Sequence, residues 1–283
     1  MSDPVFVSVA WLHANIDAPG MALLDGSWHM PAAERNGFSE FEKKSLPGSV
    51  FFDIEQVADT GSALPHTRPS PTQFAHAVQA LGIRNTDFVV VYDVVGLFTA
   101  PRVWWLFRLF GHQRVAILEG GLPAWEAAGL PTIPGRPATP SPEPFEVQFN
   151  DQLLATHEQV QSAVARGDHC ILDARSCGRF AGTDPEPRPG LPSGHMPGAV
   201  NLPFSRVVDP LRGSLVNESE LRSMLEDHQN AAPGSIITSC GSGVTACVLA
   251  LALHTLGVTA RVYDGSWTEW ATRAPEAIEI DSV

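Results

Sequence analysis

One window of the sequence is arranged for covalent chemistry. An apolar run, Ile236-Ile237-Thr238-Ser239, reads as a strand. It is followed by Cys240-Gly241-Ser242-Gly243-Val244-Thr245-Ala246, which leads into the apolar segment CVLALALHTLG. The helix is expected to start around Val244 or Thr245 and to end at Gly257. Cys240 therefore stands between a strand end and a helix N-terminus. Glycines at 241 and 243 let the backbone curl so that several N–H groups point at one spot, with the helix dipole behind them. Such a nest stabilises negative charge on sulfur and suits a nucleophilic thiolate. A buried core cysteine is the bland alternative, but glycines directly after it argue against simple packing. A cysteine phosphatase uses a similar loop and needs an arginine six residues after the cysteine to grip phosphate. That position is Ala246, so phosphatase chemistry is disfavoured.

The elements that must position this loop recur twice along the chain. Ser8 to Ile16 precedes a strand ending in Leu23-Leu24-Asp25. Thr156 to Ala165, with the capping-box spacing Thr156…Gln159, precedes Ile171-Leu172-Asp173. Leu46-Pro47-Gly48-Ser49-Val50 matches Met196-Pro197-Gly198-Ala199-Val200. The helix-start cues Ser70-Pro71-x-Gln73 and Asn217-x-x-Glu220 correspond, as do the strands Phe88–Tyr92 and Ile236–Ser239. Glu119-Gly120-Gly121-x-x-x-Trp125 matches Asp264-Gly265-Ser266-x-x-x-Trp270. A near-constant offset of about 145 to 150 residues is too long for a solenoid and reads as a duplicated domain. Short apolar strands alternating with helices predict an α/β fold in which each half is a mainly parallel sheet flanked by helices. Sites in such sheets form at the C-terminal ends of strands.

Between the halves, PTIPGRPATPSPEP (131–144) holds six prolines in fourteen residues and cannot be an interior helix or central strand. The expected division is an N-terminal domain over 1–135, a Pro-rich linker over 136–150 and a C-terminal domain over 151–283. A length of 283 residues agrees with two domains at about 150 residues each. The net charge of −13 repels phosphate backbones and anionic lipid surfaces, so neither nucleic acid nor membrane is an expected partner. A small anion remains a reasonable ligand because it responds to local arginines more than to net charge. The longest apolar stretch, Gly243 to Leu253, is shorter than a membrane span. The N-terminal segment has no obvious signal or transit character. Cys170, Cys177, Cys240 and Cys247 form no CxxC pair or metal cluster with the histidines. They point to a reducing, cytoplasmic setting. Cys247 reads as core, and any redox role for Cys177 has no support in the sequence. There is no phosphate-loop or dinucleotide motif, so no cofactor is expected. Trp104, Trp105, Trp125, Trp267 and Trp270 read as packing residues.

Cys-Gly-Ser-Gly-Val-Thr-Ala resembles the active-site loop of the rhodanese superfamily, in the form characteristic of 3-mercaptopyruvate sulfurtransferases. The resemblance extends over the whole chain, through Asp-Ala-Arg at 173–175, Gly-His-Met-Pro-Gly-Ala at 194–199 and Tyr-Asp-Gly-Ser-Trp-x-Glu-Trp at 263–270. Phe-Phe-Asp-Ile at 51–54 and Ser-Ala-Leu-Pro-His at 62–66 belong to it as well. It implies two tandem rhodanese-like domains, of which the first is inactive, since Asp93 stands where the second has Cys240. It implies a Cys240 persulfide that takes sulfur from 3-mercaptopyruvate, releases pyruvate, and passes the sulfur to thioredoxin, a small thiol or cyanide. Arg179 and Arg188 match the family's substrate arginines, and guanidinium forks suit a keto-acid carboxylate. Gly241, Gly243, Val244 and Thr245 would cradle the outer sulfur. Ser242, His66 and Asp53 match a proposed proton-handling set, which would put the site where the two halves meet. Taken alone, Asp53 reads as a turn or cap residue, His66 as a surface histidine, and Arg179 as a surface residue or a partner of Asp173. His195 is expected to be structural, bonding backbone near a turn. Thiosulfate-preferring relatives carry basic residues directly after the cysteine. Gly241 and Ser242 there favour mercaptopyruvate, with thiosulfate as the second donor. A non-catalytic sulfur-carrier or binding module is the remaining alternative, disfavoured because the cysteine, glycines and arginines are all kept.

Overall fold

The structure, a computed structural model, describes residues 3–229 and 236–281. The chain forms two compact units. The first comprises residues 1–61, 68–150 and 210–214, and the second 62–67, 151–209 and 215–283.

The first unit is built on five parallel strands: β1 (Phe6–Val7), β2 (Met21–Asp25), β3 (Val50–Phe51), β4 (Phe88–Tyr92) and β5 (Val115–Leu118), in the order β1-β5-β4-β2-β3. Every residue of β4 is buried, as a strand covered on both faces requires. Its helices are α1 (Val9–Asn15), α2 (Gly37–Phe41), α3 (Pro71–Ala80), α4 (Ala100–Leu109) and α5 (Gly121–Ala127). Ser70 starts α3 with a full capping box to Gln73, and Pro71 takes the first turn, where no amide partner is lost.

The second unit repeats this plan. Its strands are β6 (Leu154–Ala155), β7 (Cys170–Asp173), β8 (Val200–Asn201), β11 (Ile236–Ser239) and β12 (Ala260–Tyr263), all parallel, in the order β6-β12-β11-β7-β8. A separate two-stranded ribbon pairs β9 (Val208–Asp209) with β10 (Ser214–Leu215). The helices are α6 (His157–Arg166), α7 (Cys177–Ala181), α8 (Phe204–Val207), α9 (Glu218–Gln229), α10 (Ala246–Thr255) and α11 (Ser266–Arg273). Thr156 and Gln159 form the expected capping box on α6. The amide of Glu220 donates to Asn217 at the start of α9. The helix after Cys240 begins at Ala246, one or two residues later than the spacing suggests, and Thr245 at its N-cap position makes no side-chain cap bond. It is apolar on all sides and buried from Ala246 to Leu253. Among the described residues, no helix is long and apolar enough to cross a membrane.

The Pro-rich segment is not a free tether. Ile133 exchanges both backbone bonds with Ser45, Gly135 N–H donates to Phe41, Ser141 N–H to Gln79, and Gln148 N–H to Phe110. Phe145 is buried against the rings of Phe74 and Phe107. Residues between the prolines keep their amides, and one aromatic anchor suffices to lay the segment onto the first unit. Residues 136–150, expected to be linker, thus belong to that unit.

Candidate active site

The site grows from the end of β11. Cys240 follows Ser239 and is 2% exposed. Its carbonyl accepts from Trp267 N–H at 2.9 Å, and the carbonyl of Gly241 accepts from the amide and hydroxyl of Thr268 at 3.1 and 2.7 Å. The start of α11 therefore pins the first two residues of the loop. Burial at Cys240 does not by itself single out a reactive thiol. Cys247 is core, its thiol donating to Gly243 O at 3.2 Å. Burial pushes the Cys170 thiol up to about 11, so it stays protonated.

What distinguishes the Cys240 loop is legible in its copy. In the first unit the same turn follows β4, with Asp93 at the cysteine's position. The Asp93 carboxylate is 1% exposed and accepts five backbone amides. Val95 and Gly96 donate to Oδ1 at 2.9 and 2.7 Å. Phe98, Thr99 and Ala100 donate to Oδ2 at 2.8, 2.8 and 2.9 Å. This is an anion nest at a strand-to-helix turn, filled by the protein's own carboxylate. The positions matching the first four donors, 147 residues on, are Ser242, Gly243, Thr245 and Ala246.

Around the loop stand the polar groups. Ser242 and His66 are both buried, and His66 Nδ1 lies 3.0 Å from Ser242 Oγ. The pairing spans 176 residues. The segment 62–67 folds as part of the second unit, so this pair lies inside one unit. His66 is therefore not the solvated histidine its neighbours suggest. Asp53 belongs to the first unit. There its Oδ1 accepts from the amides of Glu55 and Gln56 at 2.9 and 3.3 Å, the turn-capping role of a carboxylate after a strand.

The arginines take three different places. Arg175, fully buried, is the partner of Asp173, through Nε and Nη2 at 2.7 to 3.0 Å. It lies over the Trp267 ring at 4.2 Å. Burial works against its charge, but Asp173 and Glu186 beside it outweigh this and hold its pKa above the ordinary value. Arg179 is not the partner of Asp173. It forks onto Glu186, and its Nη2 would stand 2.9 Å from a Cβ built on Gly241. Arg188 Nη1 would be 3.8 Å from the same point. Both candidate substrate arginines thus converge on the residue after Cys240. A Cβ at 241 would require the Arg179 guanidinium to shift. Val244 and Thr245 lie in the loop before α10.

His195 is structural, as expected. Its Nδ1 donates to Phe180 O at 3.0 Å, its ring stacks on Phe180, and its backbone pairs with Glu279. Two residues near the site escaped the sequence reading. Glu186 looks like one more charge in a Pro-rich loop. Ser266 is fully buried and accepts from the Cys240 amide at 3.1 Å. It donates to Tyr263 O at 2.7 Å and lies 4.0 Å from Cys240 Sγ. Its φ of +51° is unusual for a non-glycine residue, and the matching position in the first unit is Gly121, at +56°. That internal mismatch was available in the sequence as a signal.

The two units define a class: a duplicated parallel α/β protein in which one strand-to-helix loop carries a buried cysteine and its copy a carboxylate held by five backbone amides. The rhodanese-like domain matches residues 8–128 and again 156–273, and the chain belongs to that family. Over 98% of its length it is 42% identical to a thiosulfate/3-mercaptopyruvate sulfurtransferase of Arabidopsis thaliana, of which it covers 78%. It is 41% identical to a 3-mercaptopyruvate sulfurtransferase of Escherichia coli K12, over 99% of both chains. The crystal structure of SseA from Escherichia coli, described with the rhodanese fold of 3-mercaptopyruvate sulfotransferases, superposes with a TM-score of 0.83 at 38% identity. That match covers 93% of this chain and 98% of that one.

Proposed function

We propose that this protein is a sulfurtransferase that moves sulfur from 3-mercaptopyruvate through a Cys240 persulfide to a thiol or cyanide acceptor. The observation that carries the reading is the meeting of Cys240, the His66–Ser242 pair and the two arginines at Gly241 within one unit. The named functions of relatives at about 40% identity support it.

In the first half-reaction the Cys240 thiolate attacks the donor's sulfur. The S–S bond forms as the C–S bond breaks, and the electron pair of that bond leaves on carbon as pyruvate enolate. The enolate takes up a proton to become pyruvate, and sulfur remains as Cys240–S–SH. In the second, an acceptor thiolate or cyanide attacks the outer sulfur, leaving as a persulfide or thiocyanate and restoring the Cys240 thiolate. Two-step covalent transfer predicts ping-pong kinetics. Arg179 and Arg188 hold the donor carboxylate, and the amides of the 241–245 loop hold the outer sulfur. His66 and Ser242 move the proton. The donor is a small anion, and thioredoxin or a small thiol is the proposed physiological acceptor. Four free thiols fit a reducing compartment, and the cytoplasm is the proposed one.

A second reading, thiosulfate as the preferred donor, draws support from the double name of the Arabidopsis relative. Sulfur transfer to cyanide decides between them, with purified wild type and Cys240→Ser compared on the two donors. The expected result is a larger kcat/KM for mercaptopyruvate and no transfer by Cys240→Ser. A larger value for thiosulfate replaces the first reading by the second. Failure with both donors, while Cys240 still alkylates rapidly, would leave a sulfur-carrier or binding module.

A further inference from the structure

Arg179 does not meet the site as a lone cation. Its Nε and Nη2 donate to the two oxygens of Glu186 at 3.1 and 2.6 Å, a fork-to-fork pairing of guanidinium and carboxylate. Glu186 Oε1 also accepts from Arg175 Nη1 at 2.8 Å. The Glu186 side chain is 2% exposed, that of Arg175 fully buried and that of Arg179 20% exposed. The carboxylate is therefore a built part of the site and not a surface charge that drifted near. Arg175 already has Asp173 as a closely bonded counter-charge. The negative charge of Glu186 is thus the one set against Arg179, the guanidinium whose Nη2 faces Gly241.

Two consequences follow from this placement. The fork fixes the plane of Arg179 and occupies its Nε edge, leaving Nη1 and the second hydrogen of Nη2 to meet a donor. It also cancels one positive charge beside the place where the donor must bind. The attraction of a pocket for an anion scales with the product of the charges. A unit of positive charge removed from the pocket therefore costs a dianion about twice what it costs a monoanion. Mercaptopyruvate with a protonated thiol carries one negative charge, and thiosulfate carries two.

We infer that Glu186 is a specificity-determining positioning residue, which orients Arg179 and trims the pocket's positive charge so that singly charged carboxylate donors are favoured over doubly charged ones. This rests on sulfur transfer at Cys240, and it assigns to an acidic residue the discrimination otherwise credited only to the uncharged loop positions 241 and 242.

The test measures kcat/KM for both donors in wild type, Glu186→Gln and Glu186→Asp. Glu186→Gln keeps size and one acceptor oxygen but removes the charge. It should raise the ratio of thiosulfate to mercaptopyruvate kcat/KM about ten-fold, mainly through a lower KM for thiosulfate, and the gain should shrink in high salt. Glu186→Asp keeps the charge but shortens the reach. It should lose rate with both donors while holding the ratio within about two-fold of wild type. An unchanged ratio in Glu186→Gln, or an equal fall with both donors, makes Glu186 a purely structural residue and overturns the inference. So does a ten-fold rise in Glu186→Asp, which decides the question even if Glu186→Gln does not fold. Transfer by wild type from neither donor would remove the underlying reading. Transfer by wild type with an unmoved ratio removes only this one.

Discussion

The carboxylate of Asp93 makes a measurable claim about the first unit. It is buried and takes five amide hydrogen bonds of 2.7 to 2.9 Å from a single turn. In Asp93→Ala all five donors lose their acceptor. A buried donor left unsatisfied costs about 1–3 kcal/mol. Water entering the emptied nest satisfies some of them, so the net loss is expected to be about 3–5 kcal/mol. Asp93→Asn keeps one oxygen but turns an NH2 group toward the remaining amides, and about 2–3 kcal/mol should be lost. The emptied nest should also bind a free anion. If it holds sulfate at about 10 mM, then 50 mM sulfate restores about 1 kcal/mol more to Asp93→Ala than to wild type. Calorimetry gives the stability of a two-unit chain without assuming one transition. Native-state hydrogen exchange locates the loss at the amides of residues 95, 96, 98, 99 and 100. The reasoning is refuted if Asp93→Ala stays within about 1 kcal/mol of wild type with those amides exchanging as before.

Two other changes probe the two units separately. Asp25 ends β2 in full burial, with Oδ1 accepting from Ser27 N–H at 2.9 Å, and burial pushes its carboxyl up to about 6. A carboxyl raised in the fold stabilises it below the unfolded pKa, near 3.8, and that contribution is lost as pH rises through about 6. Asp25→Asn keeps the Ser27 bond. It should be close to neutral at pH 4 and stabilising by up to about 3 kcal/mol at pH 7, from the usual value of a pKa shift. Urea unfolding at the two pH values checks this, and a pH-independent difference would sink it. Ser266→Gly should release about 1 kcal/mol of left-handed strain while orphaning the Cys240 amide at about 1–3 kcal/mol, a small net change in stability. Sulfur transfer should fall about ten-fold as the loop loses its anchor. An unchanged kcat would mean that the hydroxyl serves folding alone.

How far the site could be read in advance depended on sequence distance. The Cys240 loop and the capping boxes at Ser70 and Thr156 are local patterns in which residue type and spacing carry the physics directly. The duplication was legible because matching strand ends and turns keep one offset through the chain. His66 was not legible from its own neighbours. Its contact with Ser242 joins residues 176 positions apart, and only the family resemblance pointed there. The arginines show a different limit. Arg175 and Arg179 lie four residues apart, and sequence alone left Arg179 open as a partner of Asp173. Burial settled the matter by taking Arg175 into the core and leaving Arg179 to Glu186. The Pro-rich stretch misleads because composition registers the missing amides and not the single buried ring, Phe145, that ties the chain down.

Setting the two units side by side shows where backbone strain is kept. Among the described residues only Glu34, His66 and Ser266 are non-glycine residues at positive φ, and the last two both touch the Cys240 loop. Their counterparts in the first unit are glycines at matching angles: Gly213 at +60° beside His66 at +60°, and Gly121 at +56° beside Ser266 at +51°. Gly213 packs its Cα close to Gly96 in the Asp93 loop, as His66 reaches Ser242 in the other. A left-handed backbone costs glycine little and other residues about 1 kcal/mol or more. One frame therefore holds a strained, hydrogen-bonding side chain at both places in the unit with the cysteine. At both places in the unit with the aspartate it holds a relaxed glycine. If the strained residues served folding alone, the first unit would need them equally, since its sheet order is the same. Their place against the Cys240 loop is what the proposed chemistry of the thiol would require of them.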